Sequence, residues 1–443
     1  MLHIALLLLG ADFVRKNAGY LGILGLLWGA LGVSIFIDGM QGIRYFPLHI
    51  FGILLLIESL FTLILASGGI GAQKAVFFFK GGIFCFVALL ILSGRQNSDI
   101  LLAIIFGFSW FITGLFTIVS AWVVRFAHWR STIFGGCAQI AFALFLFLPW
   151  PTHHLGTISQ FIGMVMMLGS LHILRLSVRL RELREGSSVF TLLAPGGLMT
   201  ELNPANIELF KPQRAAAAQA HDNPSLTKGE LTVHVWTPEG SSAGPTLNRP
   251  ILNRYIAAVD TNDVISTGHA ALEFKPHLYI SLYPAVDIER SPSEFLRLLK
   301  ATQENNVPGE YKKDYASEAA AWCESDRKIT FSHVNQSSLE RFWQAYRSEE
   351  IYNLTWRNCS SSVAYGLEAA LDGVLSGRPH PWLTFLRLLI IPELWIASQL
   401  RKRATTMAWT PGIVLDYARA LHAIVHPLPL SLFYRRKNKE LSE

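Results

Sequence analysis

A cysteine opens the most suggestive stretch of the chain, "YNLTWRNCSSSVAYGLEAAL" at residues 352–371. The polar run Asn358, Cys359, Ser360, Ser361 and Ser362 gives way to Val363, Leu367 and Leu371 at helical spacing, which predicts a helix entered at Cys359. A thiol there sits at the positive end of the helix, and thiolate is the reactive form. Such chemistry needs a base. His269 begins "HAALEF", an alternating stretch that predicts a strand. An imidazole at a strand end, packed on a helix start, takes the cysteine proton and returns it to a leaving group. A third polar group orients the imidazole. Folding "HAALEF" back on "LYISLY" through "KPH" brings Ser281 beside His269, with His277 in the turn as runner-up. Backbone N–H groups at the helix start, that of Cys359 included, would stabilise an oxyanion, and Asn358 or Tyr352 are the side-chain candidates for the same task.

The other chemistry-bearing residues point elsewhere. Cys85 and Cys137 lie in apolar runs, where a thiol packs as a small hydrophobe. Cys323, in "AAAWCESDRK", has helical neighbours and no histidine strand of its own, so an ordinary cysteine is expected. His333, Asp260 and Asp263 are lesser candidates for partners of the pair. No CxxC or Cys/His cluster has zinc spacing and no disulfide framework emerges, so neither a metal nor a cofactor is expected.

The order of the two motifs narrows the reading. In papain-like enzymes the cysteine helix precedes the histidine strand, whereas here His269 comes ninety residues before Cys359. That order, with "GHAAL" on a strand and "NCSSSVAYGLEAAL" opening a helix, resembles the circularly permuted NlpC-type papain-like superfamily over roughly 230–425. The resemblance implies Cys359 as nucleophile, His269 as base and Ser281 at the orienting position. Serine stands where such folds more usually carry His, Asn, Gln or an acid. Relatives include cell-wall amidases and peptidases and the lecithin retinol acyltransferase group, so the implied substrate is a peptide, an amide or an acyl lipid.

Strand signals at "ELTVHVW", "RYIAAVD", "GHAALEF" and "LYISLY" precede helical patterns at "PSEFLRLLKAT", "SSLERFWQAYRS", the Cys359 helix and two helices near 382–400 and 411–425. Strands grouped before helices predict an α+β domain over 229–425. A Gly-, Pro- and Ala-rich linker (181–228) precedes it and a basic tail (426–443) follows it. "HPWLTFLRLLIIPELWIASQLRKR" (380–403) suits either a helix on the membrane surface or a core helix, because Arg387, Pro392 and Glu393 interrupt its apolar run.

The first 180 residues, by contrast, read as a membrane bundle. Six apolar stretches, at about 18–38, 46–67, 72–93, 99–124, 131–150 and 156–177, match the roughly 20 residues a spanning helix needs. The residues before them, "MLHIALLLLGADFVRKNAGY", read as an interfacial lead-in, since Arg15 and Lys16 follow the apolar run instead of preceding it. Arg15, Lys16, Lys74, Arg125, Arg130 and the arginines at 175–184 outweigh Arg44 and Arg95 on the other side. That bias places both termini and the α+β domain in the cytoplasm. Glycine-rich spans ("GILGLLWGALG", "FKGGIF", "FIGMVMMLGS") in three tandem hairpins resemble the HdeD-like membrane proteins, which implies a bacterial inner-membrane module associated with acid resistance. Glu58 and Lys80 fall inside spans two and three, at depths that agree within about 5 Å on antiparallel helices. A structural ion pair or a snorkelling lysine is the plain reading, and Met164, Met166 and Met167 read as packing residues. The net charge of +6 sits beside membrane segments and forms no basic stripe, so lipid headgroups and not nucleic acid are the expected partner.

The fold class expected is therefore a six-helix transmembrane bundle followed by an α+β permuted papain-like domain. Its function is expected to be that of a membrane-anchored cysteine hydrolase or acyltransferase working through an acyl-enzyme. The competing class is a non-catalytic HdeD-like stress protein whose soluble domain binds a ligand or partner. The sequence fixes no oligomeric state.

Overall fold

Backbone polar groups in hydrocarbon must be satisfied within their own segment, so long apolar runs fold as helices. The computed structural model describes residues 1–41, 46–66, 72–94, 96–126, 128–148, 155–181, 189–190, 227–242, 244–261, 265–276, 278–286, 288 and 297–427. His277, Asp263 and nearly all of the expected linker and tail lie outside them. The apolar runs form α1 (Leu2–Gln41), α2 (Phe46–Ala66), α3 (Ala72–Ser93), α4 (Gln96–Val124), α5 (Trp129–Phe147) and α6 (Leu155–Arg181). Five of these are long and apolar enough to cross a membrane. The exception is α2, whose apolar core, Leu48–Ile64, is shorter than the span expected there.

The chain forms two compact units. One contains Arg15–Val119 and Arg130–Glu182. All six helices feed its core, which includes Ile35, Leu48, Val87, Leu102, Leu146 and Phe161. Close backbone approach sets the α1–α6 packing, where a Cβ on Gly32 would lie 2.9 Å from the Gly163 carbonyl oxygen. Ser170 Oγ donates to Gly25 O at 2.7 Å and Ser177 Oγ to Ala18 O at 2.6 Å, so two hydroxyls in apolar surroundings are paired. Lys80 pairs with Glu58 and lies over the Phe84 ring. This is the ion pair the depths of the two residues suggested.

The other unit contains Met1–Val14, Ser120–Trp129 and Leu183–Pro427. The amino-terminal residues, expected as an interfacial lead-in, are instead part of its core: Ile4, Leu6, Leu7, Leu8 and Leu9 are at most 3 % exposed. The Gly373 and Leu375 amides donate to Leu7 O and Leu8 O, both at 2.8 Å. Gly10 then breaks α1 at φ 79°, a left-handed conformation that glycine adopts without steric cost.

The α+β region is built on an antiparallel sheet of order β5-β4-β1-β8, from β1 (Thr227–Trp236), β4 (His269–Phe274), β5 (Leu278–Ile280) and β8 (Arg327–Val334). β2 (Ala258–Val259) and β3 (Ile265–Ser266) pair separately. β6 (Leu282–Pro284), β7 (Val307–Tyr311) and β9 (Ile351–Tyr352) make a third sheet. Two expectations change here. "RYIAAVD" holds only β2, because Pro250 starts a short helix, α7 (Pro250–Tyr255), that takes in Arg254 and Tyr255. "LYISLY" is two strands in different sheets, and Ser281 is the residue at the break.

The helices are α8 (Tyr315–Ala321), α9 (Gln336–Arg347), α10 (Cys359–Ala370), α11 (Pro381–Ile390), α12 (Pro392–Thr406) and α13 (Pro411–Val425). α10 packs on β4 and β5, where Gly366 meets Leu272 and Ile280. α13 packs on β1 and β8. The single helix expected at 382–400 is a pair bent by 70°, because Pro392 cannot continue α11. Glu368 of α10 is 1 % exposed and accepts from Arg401 Nε at 2.7 Å, Arg401 Nη2 at 3.0 Å and Tyr417 Oη at 2.8 Å. One buried carboxylate thereby ties α10, α12 and α13 together. Removing one partner of such a pair costs roughly 3–5 kcal/mol, since the other charge stays buried and unmatched.

Candidate functional site

α10 begins at Cys359, as its sequence predicts, and the polar residues around the cysteine explain themselves as its cap. Asn358 Oδ1 accepts from Ser361 N at 2.8 Å while Ser361 Oγ accepts from Asn358 N at 2.9 Å, a reciprocal capping box. Asn358 Nδ2 donates to Leu354 O at 2.7 Å and Trp409 O at 2.9 Å. The Asn358 amide is therefore fully engaged in structure, which removes it as an oxyanion donor. Tyr352 lies in β9, opposite Val307. Arg357 holds the approach to the helix: it is 2 % exposed, donates to Ile351 O at 2.9 Å and Glu349 O at 2.6 Å, and stacks 3.8 Å from the Tyr346 ring centroid.

β4 begins at His269. Gly268 delivers the chain to it at φ +71°, tight against the Trp236 carbonyl, so a side chain at that position meets both strain and a clash. Trp236 of β1 faces His269 across the ladder. The imidazole is packed between Trp236, at 5.4 Å between ring centroids, and Tyr283, at 4.1 Å and nearly parallel. Cys359 and His269 thus occupy the first positions of two elements that pack on each other. The Ala270 N–H, next along β4, points at the Cys359 sulfur. Among the described residues no hydrogen bond joins the sulfur to the imidazole.

Ser281 is where the fold-back of the strands puts it. His269 Nε2 lies 2.9 Å from Ser281 Oγ. The same nitrogen lies 3.2 Å from Glu318 Oε1, on α8, which the sequence reading missed. The Glu318 side chain is 3 % exposed and also accepts from Tyr279 Oη at 2.6 Å and Tyr283 Oη at 2.8 Å. Burial, together with the adjacent Glu318 charge, holds both phenols well above the ordinary tyrosine range, so they remain donors. With the carboxylate and the hydroxyl both at Nε2, that nitrogen carries the hydrogen and the lone pair is on Nδ1. Nothing in "DYASEAAAW" singles out Glu318, since one acid among alanines on a short helix reads as surface. Asp314 caps α8, accepting from Ser317 N at 2.7 Å, and so sets the turn that presents Glu318.

The electrostatics describe a neutral resting pair. Burial, helped by the charge of Lys312, lowers the His269 pKa to about 3. Burial also raises the Cys359 thiol, with the Glu318 charge adding to the rise and the Ser360 and Ala270 groups opposing it. The helix-end effect that favours a thiolate is outweighed by desolvation, which disfavours the charged forms of both groups. Both groups are therefore neutral at rest, and no preformed ion pair is present.

Of the lesser candidates, His333 and Asp260 stand apart from this cluster, whereas Cys323 packs at its edge against Trp236 and Tyr279. His333, at 2.9 Å from Ser332 Oγ, lines a separate cavity of about 370 Å³ with Gly229, Glu230 and Thr330. Asp260 is buried at a bridge to Thr246. Cys323 is half-buried, and its carbonyl accepts from Trp236 Nε1 at 2.8 Å. Among the described residues no group of three or more His, Cys, Asp or Glu side chains has metal-binding geometry.

No protein-family model matches the chain, and no match is found among curated proteins or solved structures.

The raised thiol predicts a pH profile. Alkylation of Cys359 by iodoacetamide, followed by peptide mass, should climb about tenfold per pH unit from pH 6 to 8, tracking the thiolate fraction. A rate already flat across that range would mean a resting thiolate. In Glu318→Gln the profile should move to lower pH, because a charge that opposes the thiolate is gone.

Proposed function

We propose that the chain is a membrane-anchored cysteine hydrolase or acyltransferase of the permuted papain-like type, with an HdeD-like helical module as its anchor. One observation carries the reading: a cysteine at a capped helix start beside a strand whose first residue is a buried histidine, held on the far nitrogen by Glu318 and Ser281.

In this reading the His269 Nδ1 lone pair takes the Cys359 proton as the sulfur attacks an amide or ester carbonyl. The S–C bond forms, the carbonyl π pair moves to oxygen, and the Cys359 N–H at the helix start meets that oxyanion. Collapse expels the amine or alcohol, which leaves with the proton from imidazolium. Water, or an acceptor alcohol or amine, then releases the acyl group by the same path in reverse. Glu318 stabilises the transient imidazolium in a site too dry to do so with solvent. Positive-inside bias, with the shared unit of the amino terminus and the α+β region, supports a cytoplasmic site on a bacterial inner membrane.

An alkylating probe, an acyl-chloromethyl ketone whose chloride the sulfur displaces, tests the chemistry. Cys359 should label at least tenfold faster than Cys323 at neutral pH, and His269→Ala should abolish the difference. Labelling no faster than Cys323 would leave the binding-protein reading in its place. Orientation is tested by alkaline phosphatase fused after Arg184, which should be inactive; an active fusion would put the site on the outer face.

A further inference from the structure

α11 carries an apolar face that no described residue of its own unit covers. Leu383, Leu386 and Ile390, at spacings of three and four, are 65 %, 52 % and 40 % exposed, while Phe385 and Leu388 on the opposite face are buried. Arg387 is exposed beside them. What covers this face is indicated by the two ends of the α11–α12 pair. At one end, the Phe13 ring meets Trp382 and Phe385, with centroids 5.5 and 6.1 Å away. Phe13 is one residue from the point where α1 leaves this unit and runs on as a candidate span. At the other end, Ser120 Oγ donates to Thr406 O at 2.6 Å, and Ser120 lies in the last turns of α4, a second candidate span.

A separate observation marks the depth of that second point. Arg125, in the α4–α5 connection, lies against the Trp122 and Trp129 rings, 5.5 and 5.4 Å from their centroids, and the two rings meet edge to face at 6.2 Å. Tryptophans and an arginine at the end of a span are the residues that settle at the headgroup level. Thr406 is thus bonded within a turn of an interfacial belt. The pair itself is not built to cross the bilayer, since it bends by 70° and Arg401 is fixed on Glu368 inside the protein.

The geometry points to α11 lying in the plane of the bilayer surface, with Leu383, Leu386 and Ile390 at the acyl-chain boundary and Arg387 among anionic headgroups. Because Arg401 joins α12 to α10, this contact also anchors the helix that begins at Cys359. The inference uses the spans and not the catalytic reading, and its failure would leave that reading untouched.

The test is depth-resolved quenching. A fluorescent non-natural residue is placed at Leu386, and in a second variant at Leu383, of the full chain in phosphatidylcholine–phosphatidylglycerol vesicles. The same residue at Ile256, 50 % exposed in α7, is the control. Lipids brominated near the carbonyl should quench positions 386 and 383 at least twofold more than lipids brominated near the chain end, and iodide should quench only position 256. Stronger quenching from the chain-end bromines would mean a span and overturn the inference. Iodide quenching at both 386 and 383 would mean a water-facing helix, and protection from every quencher would mean a covered protein interface; either result overturns it as well.

Discussion

Glu318 is a carboxylate held almost entirely out of water, and that constraint organises the region around Cys359. A buried charge without donors costs several kcal/mol, so the surrounding elements must supply them. Tyr279 comes from β5, Tyr283 from β6 and His269 from β4, so three strands belonging to two sheets are gathered on one α8 side chain. The break at Ser281 is part of the same arrangement. It lets one continuous apolar stretch leave the four-stranded sheet after Ile280 and join β7 from Leu282, placing both tyrosines over the acid. The Lys312 amide, donating to Ser281 O at 3.0 Å, fixes that corner. The tautomer of His269 follows from this network and from nothing else in the site.

A second buried carboxylate does comparable work on the other partner. Glu368, met by Arg401 and Tyr417, sets how α10 lies against α12 and α13, while Asn358 and Arg357 set where α10 starts. Cys359 and His269 are therefore fixed through separate polar clusters, both largely buried. The cost of that burial is electrostatic. Desolvation keeps the thiol and the imidazole neutral at rest, and any catalysis must create both charges together, with Glu318 already in place to receive the imidazolium.

Much of this was legible in the sequence, and the failures have physical reasons. The helix at Cys359, the strand at His269 and the approach of Ser281 follow from local periodicity and the short reach of a hairpin. Asn358 was read as a candidate donor because a cap and a catalytic amide look the same in one dimension. Glu318 was invisible because it acts across 49 residues of chain from a short alanine-rich helix, and only the tertiary fold makes it buried. The amino-terminal leucines were assigned to the membrane because hydropathy does not distinguish lipid from protein core. Their burial beside Gly373 comes from pairings more than 360 residues apart.

The central claim is that Cys359 forms an acyl-enzyme with His269 as its base and Glu318 behind the base. It is tested most directly by intact-protein mass spectrometry after brief incubation of the full chain with an activated acyl ester in vesicles. The account predicts a single acyl adduct that maps to Cys359 and is released by hydroxylamine. The adduct should be absent in Cys359→Ala and should form at least tenfold more slowly in Glu318→Gln. An adduct that persists in Cys359→Ala, or that forms at Cys323 and Cys359 at equal rates, would contradict it.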